Sequence, residues 1–373
     1  MVEEKKDTTI EEEAETFSGK VFEAVLGAQM AQTAYLGAKL GWYDALAAAG
    51  KEGLTAPALA AQTKSSARYA REWLEQQAVG GWIQCADDSA KPDERRFFLT
   101  KGQAIVLTDR DSLFYTLPLP TVQAAFGICL PQLVEAYKND TGVSWDQIGN
   151  DAREQQAAMN RPFCLQILPE VVEKAIGIDT ASKLKDQGGL IVDIGAGFGF
   201  STVGLAKRFV KAQIDAYDID EPSVLAAREI VATEGLGARV NIHCCDAKEG
   251  RGGVPADVVV ALECIHDMGD PISVLRTMRE LAGDSGTVLV IDEKVQDEFS
   301  SQPDPCEQAF YGFSCMCCLA DGKSHPNSTE TGTVMRPKLL RAYAQQAGFR
   351  DIDIVPMDHD FFRCYRLFSS GAP

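Results

Sequence analysis

Apolar positions along this chain change rhythm near residue 185. Before it, Phe17, Val21, Phe22, Val25, Leu26, Met30, Ala34 and Leu40 recur at helical spacing between Thr16 and about Leu46, which predicts a pair of helices with an apolar face. Leu54-Thr55-Ala56-Pro57 opens a short alanine-rich helix, and Ser65-Ser66 reads as the cap of a helix over 67–78 that Gly80-Gly81 ends. Residues 82–85 and 96–100 flank a polar loop as the strands of a hairpin do. Helix, helix, hairpin is a winged-helix order, expected over 16–110. Residues 111–184 alternate apolar helical stretches with breaks at Pro118, Pro120, Pro131, Gly142, Gly149 and Pro169, and predict linking helices that roof a pocket.

From residue 189 onward, short apolar runs at 190–194, 213–217, 240–244, 256–262 and 287–291 alternate with amphipathic helices. That alternation predicts βαβ units and an α/β domain over 185–373, a Rossmann-like doubly wound sheet with helices on both faces. The end of the chain, 349–368, alternates apolar and polar residues like a closing antiparallel hairpin. An insertion over 297–335 carries Phe310, Tyr311, Phe313, Met316 and His325, and its length predicts a lining for an acceptor site.

Charge narrows the partners. Lys and Arg total 36 against 54 Asp and Glu, a net charge of -18 that repels a phosphate backbone, so no nucleic acid is expected. The helix over 67–78 carries Arg68 and Arg71 but also Glu72 and Glu75, which leaves a DNA-binding regulator as a rival of lower standing. No apolar run approaches the length of a membrane span. The first sixteen residues hold seven acids and two lysines, the opposite of a signal or transit peptide, and predict an acidic disordered tail over 1–15 and a cytoplasmic protein. Eleven cysteines in such a chain are expected as reduced thiols.

Candidate chemistry gathers at the strand ends of the second half. Val192-Asp193-Ile194-Gly195-Ala196-Gly197-Phe198-Gly199 stands between a strand and a helix beginning near Ser201. Its glycines let backbone approach a ligand whose anionic end meets free N–H groups. A dinucleotide fingerprint wants its third glycine at 200, where Phe200 stands, so a nicotinamide-dependent dehydrogenase is disfavoured and the spacing is that of S-adenosylmethionine sites. Asp218 ends the second strand where a carboxylate accepts from ribose hydroxyls, with Asp220 as runner-up. Asp246, followed by Ala247, ends the third and suits an adenine amino group. Leu262-Glu263-Cys264-Ile265-His266-Asp267-Met268 ends the fourth, at the carboxyl edge where open α/β sheets keep ligands.

Taken together these motifs resemble the class I S-adenosylmethionine-dependent methyltransferases over roughly 185–370, and the N-terminal half is similar to the plant-type small-molecule O-methyltransferases. The resemblance implies S-adenosylmethionine as cofactor, held by Asp193, Gly195, Gly197, Gly199, Asp218, Asp246, Ala247 and Leu262, and a homodimer formed through the N-terminal module. It also makes His266 the catalytic base, from a His-Asp-Trp stretch in which Met268 replaces Trp, with Glu263 or Asp267 to orient it.

Two acceptor chemistries follow. A hydroxyl acceptor gives its proton to His266, whereas a thioether needs no base and yields a second sulfonium, favoured by aromatic faces or carboxylates. The layout is also similar to the S-methyltransferases that act on 4-methylthio-2-hydroxybutyrate in dimethylsulfoniopropionate synthesis, so that acceptor is the specific expectation. A hydroxy acid needs a cation for its carboxylate, and Arg161, Arg336 and His325 are candidates beside Phe310 and Tyr311. Cys315, Cys317 and Cys318, with Cys306 upstream, raise a soft-metal reading, but CxCC is not a zinc spacing and no metal is expected.

Overall fold

A computed structural model describes residues 9–249, 254–302 and 304–369. Two compact units divide after Ala124, so residues 125–184 belong with the sheet.

The first unit opens with the helix Ile10–Lys39, whose capping box joins Thr9 and Glu12. The acidic tail expected over 1–15 is therefore helical from residue 10, and residues 1–8 lie outside the described ones. Gly41, at φ 67°, turns the chain into the helix Trp42–Ala49. Helices Ala56–Thr63 and Ala67–Val79 follow, then strands β1 (Gln84–Cys85) and β2 (Phe97–Phe98), paired antiparallel. Trp42, Tyr43, Leu46, Leu59, Trp73, Leu74 and Phe97 form the core, with Tyr43 set edge-on to Trp73 at 5.0 Å. Ile10–Lys39 buries only Ala34 and Gly37 along its length.

The second unit carries helices and then a seven-stranded sheet. Helix Asn150–Pro162 runs through a π turn, Phe163–Ile167, into Leu168–Ile176; Pro162 withholds an N–H where the turn begins. Strands β3 (Gly189–Ile194), β4 (Ala212–Asp218), β5 (Val240–Cys244), β6 (Val258–Leu262) and β7 (Thr287–Glu293) are parallel. β8 (Asp351–Val355) and β9 (Phe362–Phe368) close the edge, β9 lying antiparallel to β7. The order is β5-β4-β3-β6-β7-β9-β8. Alternate residues of β3 feed different layers: Ile191 packs with Leu168 and Val203, while Val192 and Ile194 pack with Leu275 and Tyr343. Crossovers leave β3 and β6 in opposite directions, which opens a crevice at their carboxyl ends. This is the Rossmann-like sheet expected, with its strands where the apolar runs placed them.

Between β7 and the final helix Pro337–Gln346, the insertion folds as helix Pro305–Phe313, a π turn Ser314–Cys318 and helix Leu319–Ser324. No described helix is long and apolar enough to cross a membrane.

Candidate active site

The turn after β3 is built on left-handed backbone, with φ of 68°, 51° and 77° at Gly195, Gly197 and Gly199. Gly195 N and Ala196 N donate to Tyr217 O at 2.9 and 3.2 Å, tying the turn to the end of β4. A Cβ at Gly197 would meet nothing within 4 Å, so the backbone there faces open space, as a ligand cradle requires. At Gly195 it would lie 2.7 Å from Cys264 Sγ, which shows how closely the turn abuts the end of β6.

Asp218 braces this cradle. It accepts from Gly197 N at 2.7 Å and Asp220 N at 2.9 Å, and burial raises its carboxyl above the usual range. Asp220, the runner-up, is committed elsewhere. Arg153, itself buried, grips it through Nε at 2.8 Å and Nη2 at 2.7 Å, and Ser223 donates as well. Burial pushes the Asp220 carboxyl up, but these partners hold it below its ordinary value. Asp193 lies beneath the turn, accepting from Ser201 Oγ at 2.7 Å and Thr202 Oγ1 at 2.6 Å. Both of its hydrogen bonds anchor the helix Phe200–Arg208, so it supports the turn from behind; burial pushes it up to about 6. Asp246 ends its loop half-exposed, 3.0 Å from Lys248 Nζ, with Ala247 buried beside it. Leu262 is buried as the last residue of β6.

His266 is 2% exposed and held by two carboxylates that sequence reasoning missed. Its Nδ1 lies 2.7 Å from Asp292 Oδ1 and 3.0 Å from Glu293 Oε2, both at the end of β7. Burial disfavours its charged form, yet Glu293 and Asp292 together hold its pKa well above the ordinary value. Asp292 sits low, because the His266 charge and the hydrogen bonds from Glu293 and His266 outweigh its burial; Glu293 sits well above its usual range through burial.

The carboxylate hydrogen-bonded to the His266 ring is therefore Asp292, where Glu263 or Asp267 was expected to orient it. Glu263, at φ 51°, turns its carboxylate to Gln156 Nε2 at 3.2 Å and to Asn160 Nδ2. Burial pushes it up to about 7 against the pull of His266. Asp267 is half-buried, and desolvation raises its carboxyl well above the ordinary range, helped by Cys318 and Asp321. Cys318 ends the π turn and hydrogen-bonds to His266. His266, Asp267 and Cys318 each bring one ligand atom to within 4.8 Å of the others, a set a soft divalent ion accepts.

The acceptor-side expectations fare unevenly. Arg336 is not a free cation: Nη2 pairs with Glu307 Oε1 at 2.7 Å and donates to Tyr311 Oη at 3.1 Å. Phe310 is 4% exposed and packs edge-on to Phe361. Arg161 lays its guanidinium 4.9 Å over the Phe200 ring, at the start of the helix behind the glycine turn. His325 packs on Gly269, where a Cβ would come within 2.5 Å of its own Cβ, close to the His266 loop.

Comparison with known proteins agrees with this architecture. Residues 192–288 match a methyltransferase domain family. The ubiquinone biosynthesis O-methyltransferase of Stutzerimonas stutzeri is 25% identical over 170 residues, 46% of this chain and 68% of that protein. Polyketide synthase ThaQ of Burkholderia thailandensis is 29% identical over 102 residues, 27% of this chain and only 5% of that much longer protein. Among solved structures, mitomycin 7-O-methyltransferase MmcR superposes with a TM-score of 0.70 at 21% identity, covering 96% of this chain and 99% of that one. Human N-acetylserotonin methyltransferase, solved with S-adenosylmethionine, gives 0.63 at 18%, covering 95% and 98%. Sheet, glycine turn and the domain match over 192–288 make this an S-adenosylmethionine-dependent methyltransferase with the class I fold. The open backbone at Gly197 beside Asp218 fits that cofactor.

Proposed function

We propose that this chain methylates a hydroxyl of a small hydroxylated or phenolic metabolite, with His266 as the centre of proton removal. The observation that carries the reading is the His266–Asp292 hydrogen bond of 2.7 Å, at a strand end packed against the glycine turn. With Nδ1 fixed by a carboxylate, Nε2 is the nitrogen left to meet the acceptor, and because Glu293 and Asp292 raise the pKa of the ring well above its ordinary value, it takes a proton from the neutral fraction that grows as pH rises. The cofactor, when bound, supplies a methyl made electrophilic by its sulfonium. Gly195, Gly197, Gly199 and Asp218 would hold it, with Asp246, Ala247 and Leu262 on the adenine side. What remains for the chain is to hold the oxygen in line, exclude water and take a proton. The reading invokes no metal, so dialysis against EDTA is expected to leave activity unchanged. O-methyltransferases among the structural neighbours and curated relatives support the hydroxyl acceptor.

A second reading has a specific observation behind it. Glu263, Asp267 and Asp321 crowd the site with carboxyls that would welcome a sulfonium product from a thioether such as 4-methylthio-2-hydroxybutyrate. That acceptor's own carboxylate would need a cation, and the pairing of Arg336 with Glu307 weighs against it. A screen with labelled S-adenosylmethionine separates the two: phenols, catechols and hydroxy acids in one arm, thioethers in the other. Label transferred only to thioethers overturns the hydroxyl reading.

The first unit serves as a dimerisation module in this reading. Its helix Ile10–Lys39 exposes Phe17 at 65%, Phe22 at 62% and Leu26 at 50%, an apolar stripe of the kind that marks an interface. Sedimentation at the mass of a monomer would reject it. Retention on heparin at low salt would favour the regulator instead.

A further inference from the structure

Two segments far apart in the chain meet beside the imidazole. The loop after β6 supplies His266 and Asp267, and the π turn Ser314–Cys318 supplies Cys318. Packing holds these segments together: a Cβ at Gly322 would lie 3.1 Å from Asp267 O, and Thr329 N donates to Gly269 O at 2.9 Å. One ligand atom from each of His266, Asp267 and Cys318 lies within 4.8 Å of the other two. A tetrahedral zinc ion, with bonds of about 2.0–2.3 Å, sets its ligands roughly 3.3–3.8 Å apart, a spacing that small side-chain rotations reach from here.

The ring is set for the same role. Asp292 engages Nδ1 at 2.7 Å and Glu293 at 3.0 Å, which leaves Nε2 for the side of the sulfur and Asp267. A histidine ligand ordinarily gives its second nitrogen to a carboxylate in this way, which fixes the ring and strengthens its bond to the metal. His266, Asp292 and Glu293 also form a cluster, but they are buried, and groups already at hydrogen-bond distance leave no room for an ion between them. Asp267 and Cys318 are half-buried, so an ion from solvent reaches their side. Asp321, the next acid along that helix, accepts from Trp145 N at 2.6 Å and is committed there, which leaves a fourth position to water.

We propose that His266, Asp267 and Cys318 bind a soft divalent cation of the zinc class, and that the bound ion silences the enzyme by occupying Nε2. The binding half stands on geometry alone. The inhibitory half rests on the hydroxyl reading, since the same nitrogen must take the acceptor's proton. As the ion enters, the Cys318 S–H bond breaks, its proton goes to solvent and its electron pair to the metal, while Nε2 and an Asp267 oxygen donate the other two pairs. The metal-free chain is the active form. One sulfur, one nitrogen and one oxygen suit zinc or cadmium, whereas magnesium and calcium take shells of oxygen. The cysteine spacing shows no metal pattern because only one of the three ligands comes from the CxCC run.

The test uses the full chain, stripped of metal with a chelator. Zinc titrated by calorimetry, without cofactor or acceptor, is expected to bind in the micromolar range or tighter. Cys244 and Cys315 are exposed thiols that can also take zinc, so the site is read as the difference between wild type and Cys318→Ser, expected as one ion per chain. Cys318→Ser and Asp267→Asn are each expected to weaken that ion at least 10-fold, and Asp292→Asn about 10-fold through the ring. Cobalt in place of zinc is expected to give a sulfur-to-metal charge-transfer band in the near ultraviolet that Cys318→Ser lacks. With an acceptor found in the screen, zinc is expected to lower wild-type turnover at least 10-fold, reversibly by EDTA, and the zinc needed for half inhibition to rise at least 10-fold in Cys318→Ser. Zinc bound equally by wild type, Cys318→Ser and Asp267→Asn overturns the site, as does magnesium bound as tightly as zinc. Zinc seated at the site with turnover unchanged overturns the inhibition. A screen in which no hydroxyl takes methyl sinks the hydroxyl reading and the inhibition with it, while the ion site stands or falls on calorimetry and the cobalt band.

Discussion

Asp292 Oδ1 meets His266 Nδ1 at 2.7 Å, with both side chains almost fully buried, His266 from the loop after β6 and Asp292 from the neighbouring strand β7. The bond fixes which ring nitrogen is basic. Asp292→Asn keeps the shape but offers its amide in place of an anion, so the ring loses the charge that stabilises its protonated form. Turnover is expected to fall about 100-fold with the KM for S-adenosylmethionine unchanged. Steady-state kinetics at saturating cofactor check this, and a loss under threefold would reassign the orienting role.

Gly197 and Asp218 separate folding from binding. Gly197→Ala introduces a Cβ at φ 51°, a backbone strain of about 1–2 kcal/mol, but into space that holds no protein atom within 4 Å. The variant is expected to lose a few degrees of Tm and at least 10-fold in affinity for S-adenosylhomocysteine by calorimetry. Asp218→Ala should weaken the same binding. Unchanged affinity in either variant would move the cofactor site elsewhere.

Arg336 predicts the opposite pattern. Its pair with Glu307 leaves the side chains 17% and 10% exposed, so Arg336→Ala strands a mostly buried carboxylate. A loss of about 1–3 kcal/mol in urea unfolding is expected, below the value for full burial because water still reaches the pair. The KM for the acceptor should stay where it was. A selective rise in that KM, with stability intact, would restore the substrate-binding role that the sequence suggested.

Asp193 makes stability depend on pH in an unusual direction. Its folded pKa of about 6 lies above the ordinary value, so the folded chain keeps a proton that the unfolded chain has lost. Its contribution is fully present below about pH 4 and is lost as pH rises through about 6, a swing on the order of 3 kcal/mol. Asp193→Asn still accepts from Ser201 and Thr202 through its carbonyl oxygen but does not titrate. Relative to wild type it should gain stability between pH 4.5 and 7.5 in urea titrations. A difference that stays flat with pH would count against this.

The sheet was legible because parallel strands, buried on both faces, read as apolar runs, and because the glycine turn must follow the first of them. Asp218 and His266 were legible as strand-end residues. Asp292 and Glu293 were not singled out, although two acids closing the wholly buried run Thr287–Glu293 were the available signal. Proximity in sequence favoured Glu263 and Asp267, but the left-handed turn at Glu263 sends its carboxylate to Gln156 and Asn160. Arg153 sits in a polar helix, and nothing local foretells that it will be buried on Asp220. Arg336, directly after the insertion, differs for a related reason: composition reports that it is available, and only packing reports that Glu307 has taken it.

The π turn Ser314–Cys318 sets a rotational register for everything behind it. Each residue of an α-helix advances the chain by about 100°, and a π turn accommodates one residue more than the α-helical path it interrupts. Were the same five residues Ser314–Cys318 wound as regular helix, Cys318 and the chain behind it would swing around the axis by roughly that angle, taking the sulfur off His266 without altering any residue that touches it. The winding of this one turn, more than the composition around it, thus determines which side chain of the insertion faces the imidazole.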